Sequence, residues 1–219
     1  MSRGFPDWAW FNDRNLDRVV DLLLQHLQLT VLALLLGIVI ATPLGVLAVR
    51  RRRLYTPLLA LTGVLFTIPS VALFIVLLAF AGTGLGLATP LIGLTIYTLL
   101  ILFRNTVAGL DGVPRDVIEA AEAMGYRPLR RLLTVELPLA LPVYVAGVRI
   151  ATVTTIGLVT ITAFVGWGGL GQLFITGFQR QNPTEISVGL VLCIVLAVAA
   201  DLLLVAAQRW LTPWSQARA

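Results

Sequence analysis

Residues 27–53 read LQLTVLALLLGIVIATPLGVLAVRRRR. Residues 27–49 carry no formal charge, and four consecutive arginines follow them. The hydrocarbon core of a bilayer is roughly 30 Å thick and takes about 20 helical residues to cross, so this stretch is long enough to span it. Inside lipid the backbone must satisfy its own hydrogen bonds, which requires a helix or a closed barrel. No period-2 alternation supports a barrel strand. The arginines then mark the cytoplasmic end, because Lys and Arg accumulate on that side of a membrane protein.

The rest of the chain extends the pattern. It has 219 residues, 58% of them hydrophobic and only 12% charged, whereas a soluble domain carries about 25% charge. Four more apolar stretches are long enough to cross: Pro57 to Phe80, about Leu85 to Phe103, Leu137 to Val165 with Arg149 inside it, and Ile186 to Ala207 with Asp201 inside it. The expected fold is all-α, an integral membrane protein with five transmembrane helices. Residues 1–26 form an N-terminal interfacial segment, 27–213 the membrane domain and 214–219 a tail. Five spans put the termini on opposite sides. Eleven arginines (50–53, 104, 115, 127, 130, 131, 209 and 218) fall on one side and four (3, 14, 18 and 180) on the other. The richer side is cytoplasmic, so the N-terminus is expected outside and the C-terminus inside.

The net charge is +5 and every basic residue is Arg; apart from Arg149 the arginines flank apolar runs, a placement that fits membrane topology rather than nucleic acid. The single Cys193 allows no internal disulfide. The single His26 cannot build a metal cluster and reads as a polar residue at the membrane interface. Trp8, Trp10 and Phe11 look like an interfacial aromatic anchor. Leu16, Val19, Val20 and Leu23 recur at helical spacing opposite Asp13, Asp17, Arg18 and Asp21, which predicts an amphipathic helix on the outer surface or an extension of the first span. The segment lacks the basic start and small-residue cleavage site of a signal peptide.

Between the third and fourth spans, residues 110–137 are too long and too patterned for a passive loop. Pro114 suits a first helical turn, and Asp116 and Glu119 suit the positive end of a helix dipole. Val117, Ala120, Ala121 and Met124 make one narrow face. Gly125 fits a helix C-terminus, and Arg127-Pro128 restarts the chain with Leu129, Leu132 and Leu133 on a second apolar face. The prediction is helix, glycine bend, helix, then membrane, on the cytoplasmic side. This elbow is read either as two surface helices packed back on the bundle or as a docking element for a soluble partner.

The spacing Glu119-Ala120-Ala121, three residues, Gly125, nine residues, Val135, Glu136, Leu137-Pro138 resembles the EAA loop of permease subunits of bacterial ATP-driven (ABC) importers. The resemblance implies that the loop docks on a separate cytoplasmic ATPase, with Glu119, Ala120, Ala121, Met124, Gly125, Tyr126 and Arg127 as coupling residues. It also implies an extracytoplasmic substrate-binding protein, a second permease subunit, a bacterial inner-membrane location and no cofactor in this chain, with ATP and Mg on the ATPase. Arg104-Asn105-Thr106, Gly109-Leu110, GVRIATVT at 147–154, AFVGWGGLG at 163–171 and the arrangement of Asp201, Arg209 and Pro213 look like the branch that imports glycine betaine, choline and carnitine. The GGLG segment is also similar to methionine and phosphonate permeases. Trp167 departs from the small residue common at that place.

Gly166, Gly168 and Gly171 fit G-x-G-x-x-G, but a dinucleotide fingerprint needs a preceding strand, and close packing is the better account. With no Lys the chain has no Walker lysine, so the motor must be another polypeptide. Arg149 is expensive inside a membrane, about 2.5–3.5 kcal/mol at a midplane. It is expected either to snorkel to the inner interface or to form a structural pair with Asp201. Candidates for the translocation pathway are Thr67, Pro69 and Ser70, where the second span should kink, with Tyr97, Thr152 and Thr155; ordinary helix packing is the better account of each. A secondary transporter would show internal repeats and midplane ionisable groups, and an intramembrane enzyme a nucleophile–base pair or metal cluster. Neither pattern fits this chain.

Overall fold

The computed structural model describes residues 6–80, 82 and 86–214, and every regular element among them is helical. The expected start of the third span at residue 85, Arg3, and Arg218 with residues 215–219 of the tail lie outside the described residues. A 3₁₀ turn, Trp8–Trp10, leads into α1, Asp13–Arg50. Asn12 caps α1 by accepting from the Asn15 N–H, which satisfies one of the orphan donors at a helix start. At 38 residues α1 is about 57 Å long. The N-terminal segment therefore extends the first span rather than lying flat on the surface. Its inward face differs from the expected one: Val19, Leu22 and Leu23 pack with Trp10, Leu170 and Leu173, while Leu16 and Val20 stay exposed. Trp10 is consequently a buried packing residue and not an interfacial anchor; Trp8 and Phe11 remain exposed.

The second span is broken. Helix α2, Tyr55–Thr67, and α3, Ser70–Phe80, meet at 93° across Ile68-Pro69. Pro69 lacks an N–H and pushes the residue before it into extended backbone, and Ile68 sits at φ −63°, ψ 126°. The hydroxyl of Tyr97 donates to the Ile68 carbonyl that the break frees. The sequence predicts a kink here; the observed turn is much sharper, so this segment is not one straight rod.

Helix α4, Ala88–Asp111, runs eight residues beyond the expected end of the third span. The elbow follows as α5, Arg115–Ala123, and α6, Pro128–Arg131. A π-helical turn, Leu132–Glu136, joins α6 to α7, Leu137–Val159, which ends in a 3₁₀ segment, Thr160–Val165. The whole of Pro128–Val165 forms one continuous 38-residue helix. Then come α8, Gly171–Gln179, which the hydropathy pattern does not signal, and α9, Pro183–Leu211. Four helices are individually long and apolar enough to cross a membrane, and the bent pair gives a fifth if taken as one span.

The core is the trio α1, α4 and α7. On α1 the buried residues Ala33, Gly37, Ala41 and Gly45 recur every four positions, presenting a small-residue groove of the kind that lets membrane helices approach closely. A Cβ on Gly37 would lie 2.0 Å from Thr98 Oγ1, and one on Gly45 2.7 Å from Thr106. Likewise Gly147 of α7 meets Asn105 of α4, where an added Cβ would stand 2.3 Å from that side chain. Leu102, Phe103, Val107, Val148 and Ala151 fill the space between the three helices. Helix α9 lies outside this core, against α7 and α8. Among its described residues only Thr184, Glu185 and Gly189, at its N-terminal end, are buried.

Candidate functional site

The elbow is built by local rules. Pro114 caps α5 in extended backbone (φ −59°, ψ 137°), and Asp116 occupies the first turn. The helix stops in a two-bond cap: the Tyr126 N–H donates to Ala121 O at 3.1 Å and the Gly125 N–H to Glu122 O at 2.9 Å. That closure places its penultimate residue in left-handed backbone, and Gly125 sits at φ +79°. A Cβ there would meet nothing within 4 Å, so the glycine answers a backbone requirement rather than a lack of space. Pro128 then starts α6 at its first turn.

The two faces of α5 are divided differently from the predicted one. Ala121 is buried, and Ile118 packs with Leu110, Val113 and Ala140. Glu119, Ala120, Met124, Gly125 and Arg127 are exposed, and Tyr126 is half-buried, with the Arg130 guanidinium 4.7 Å over its ring. Met124 is 69% exposed, Leu129 68% and Leu133 55%. The elbow therefore presents three uncovered apolar side chains among its charges, the composition of a contact surface.

Beneath it lies a group of charges that periodicity does not reveal. Glu136 is buried. Its Oε1 accepts from Arg131 Nε at 2.7 Å and from Arg50 Nη2, at the end of α1, at 2.8 Å. Arg131 Nη1 also donates to Glu122 on α5. Close by, Arg52 Nη1 donates to Asp111 Oδ2 at 2.8 Å, tying the turn after α1 to the end of α4.

A second charged group closes the opposite end of the bundle. Glu185 is fully buried, and its Oε1 accepts from Arg18 Nη1 of α1 at 2.8 Å and from the Thr176 hydroxyl of α8. His26 is fully buried as well, not interfacial: its Nε2 lies 3.0 Å from Ile156 O, and its Nδ1 accepts from the Leu170 N–H at 3.3 Å. The GWGGL turn makes room for it. Gly169 is at φ +47°, and a Cβ there would lie 2.6 Å from His26 Cβ. Gly168 packs on Ala163 and Gly171 on the Thr160 backbone with similar closeness, so these glycines serve packing. Trp167 is accommodated, partly buried beside Val159 and Val165.

The remaining sequence candidates divide. Arg149 and Asp201 meet in a two-bond pair, Nε–Oδ1 2.8 Å and Nη2–Oδ2 2.9 Å, each about one-third exposed at 32% and 33%. Tyr97 converges with Thr67, Pro69 and Ser70 on the α2–α3 break. The Thr67, Thr152 and Thr155 hydroxyls donate to Val64, Val148 and Ala151 carbonyls of their own helices. No group of three or more potential metal ligands occurs among the described residues.

The model of the binding-protein-dependent transport system inner membrane component family matches residues 33–216. The chain belongs to that family. It is a transport permease of the membrane, not itself an enzyme, and works in a system with a substrate-binding protein and an ATP-binding subunit. It is 40% identical over 202 residues to the osmoprotectant import permease protein OsmW of Salmonella typhimurium, covering 91% of this chain and 94% of that one. It is 35% identical to the choline transport system permease protein OpuBB of Bacillus subtilis, covering 86% of each. Among solved structures, an inward-facing MetNI methionine ABC transporter chain matches with a TM-score of 0.82 at 27% identity, over 92% of this permease and 100% of that chain.

Proposed function

We propose that this permease carries quaternary-ammonium osmoprotectants, the class of glycine betaine, choline and carnitine, through the membrane in an importer driven by a separate ATPase that binds ATP and Mg²⁺. The bent α2–α3 pair counts as one of five crossings, with the N-terminus outside and the elbow and C-terminus in the cytoplasm. Two copies, or this chain with a related one, form the pathway. The elbow residues Glu119, Ala120, Met124, Gly125 and Arg127 face the ATPase, while Ala121 holds α5 to the bundle. Closure of the motor pushes the elbow and tilts the spanning helices between inward-open and outward-open states.

The observation that carries this reading is the single helix Pro128–Val165, which joins the uncovered elbow to the opposite side of the bundle without a flexible joint. The substrate class is supported by the two named relatives, 35% and 40% identical, whose names give choline and osmoprotectants, against 27% identity to the methionine transporter chain. Purification of the permease from its native membrane tests both parts. An ATPase and a binding protein should co-purify, and glycine betaine, choline or carnitine should stimulate ATP hydrolysis in liposomes. Stimulation by methionine alone would replace the substrate class, and uptake that survives ATP depletion but collapses with the ion gradient would overturn the mechanism.

A further inference from the structure

The charges beneath the elbow form a continuous chain: Glu122 on α5, Arg131 on α6, Glu136 in the π turn and Arg50 at the inner end of α1. Two acids face two bases, so the chain is neutral as a whole. Its centre is dry: the Glu136 side chain is 4% exposed and that of Arg131 11%. A buried carboxylate holding two guanidiniums strongly resists the loss of either, so elements joined through it move together. Helices α5 and α1 also share the small apolar cluster of Val46, Val49, Leu110, Val113 and Ile118, and such contacts slide more readily than a fixed pair of charge-assisted bonds.

The place of Glu136 adds to this. It ends the π turn Leu132–Glu136, one residue before the membrane helix α7. Wide turns of this kind are single-turn departures from α geometry, frequent at functional positions. The turn brings one carboxylate within reach of Arg131 behind it and Arg50 across from it. An input at α5 therefore arrives at two membrane helices: at α7 through the continuous backbone, and at α1 through Glu136 and Arg50.

We propose that Glu136 is a positioning residue for coupling, and that the Arg131–Glu136–Arg50 chain transmits movement of the elbow to the first membrane helix. The inference rests on the proposed docking of the elbow on the ATPase. Arg50→Gln cuts the link to α1 while leaving Arg131–Glu136 intact, and Glu136→Gln weakens both links. Each variant is purified with its ATPase and binding protein, and three quantities are measured: the yield of assembled complex, basal ATP hydrolysis, and substrate transported per ATP. With Arg50→Gln, yield and basal hydrolysis should stay within two-fold of the parent, and transport per ATP should fall at least ten-fold. Glu136→Gln should fall at least as far. An unchanged transport-to-ATP ratio in Arg50→Gln overturns the proposal, and so does a loss in which yield, hydrolysis and transport decline together in both variants. If the parent complex contains no ATPase, the docking beneath the proposal is what fails; if it contains one and Arg50→Gln couples normally, only the relay fails.

Discussion

Gly125 shows how one residue's backbone decides what its neighbours can do. The turn between α5 and α6 demands φ +79°, where an L-residue with a Cβ pays about 1–2 kcal/mol. Space is not the constraint, since a Cβ there has no neighbour within 4 Å. Gly125→Val should therefore depopulate the native turn roughly five- to thirty-fold by the usual conversion of free energy to population and reduce transport while leaving membrane insertion intact. Gly125→Asn should keep most of the activity, because Asn tolerates left-handed backbone. Transport assays on the two variants, each normalised to the amount inserted, separate a conformational role from a contact role. Equal loss in both would mean that the partner needs a bare backbone at this point.

At the scale of elements, α1 and α9 are held near their N-terminal ends through Glu185. Arg18 supplies the close bond at 2.8 Å, whereas Arg180 Nη1 stands 3.9 Å from the other oxygen and is 63% exposed. Arg18→Met should leave a fully buried carboxylate without its main partner, a change that typically costs about 3–5 kcal/mol. Arg180→Met should cost little, about 0–1 kcal/mol, as exposed pairs do. Thermal unfolding in detergent would order the two, and an equal effect would show that Arg18 is not the principal partner. What the sequence discloses follows the same division. The elbow is legible because Pro114, Gly125 and Pro128 act on their own backbone, within one turn. The apolar runs reveal the long helices because length alone decides whether they span. Glu185, Glu136 and His26 are illegible because each also needs a partner from a distant helix, 167, 86 and 130 residues away respectively. Helix α8 is hidden because nine residues carry no span-length signal. The 93° turn at Pro69 exceeds an ordinary proline kink because Tyr97, from another helix, satisfies the freed carbonyl.

For the molecule as a whole, the question is what keeps α9 in place. The tight trio of α1, α4 and α7 is cemented by small residues, yet α9 offers them no such groove, and below Gly189 none of its described residues is fully buried. Leu190, Val191, Ile194, Val195, Val198 and Leu202 are all exposed, a face suited to lipid or to a second permease. Lipid gives such a helix no hydrophobic reason to prefer α7 over the bilayer, so packing and polar bonds must supply the preference. Arg149–Asp201 provides two parallel charge-assisted bonds, the geometry that adds direction as well as energy, and the Gln208 side chain reaches Pro142 O at 3.4 Å one level further along. Either reversal alone, Arg149→Asp or Asp201→Arg, places like charges together and should leave little α9 seated on α7. The double reversal restores opposite charges at the same two sites and should recover several-fold more assembled permease than either single variant, read as the detergent-stable fraction on size exclusion. A double variant that assembles no better than the singles would mean that α9 is held by its N-terminal end and its apolar contacts with α7, and that the pair is a consequence of the docking rather than a cause of it.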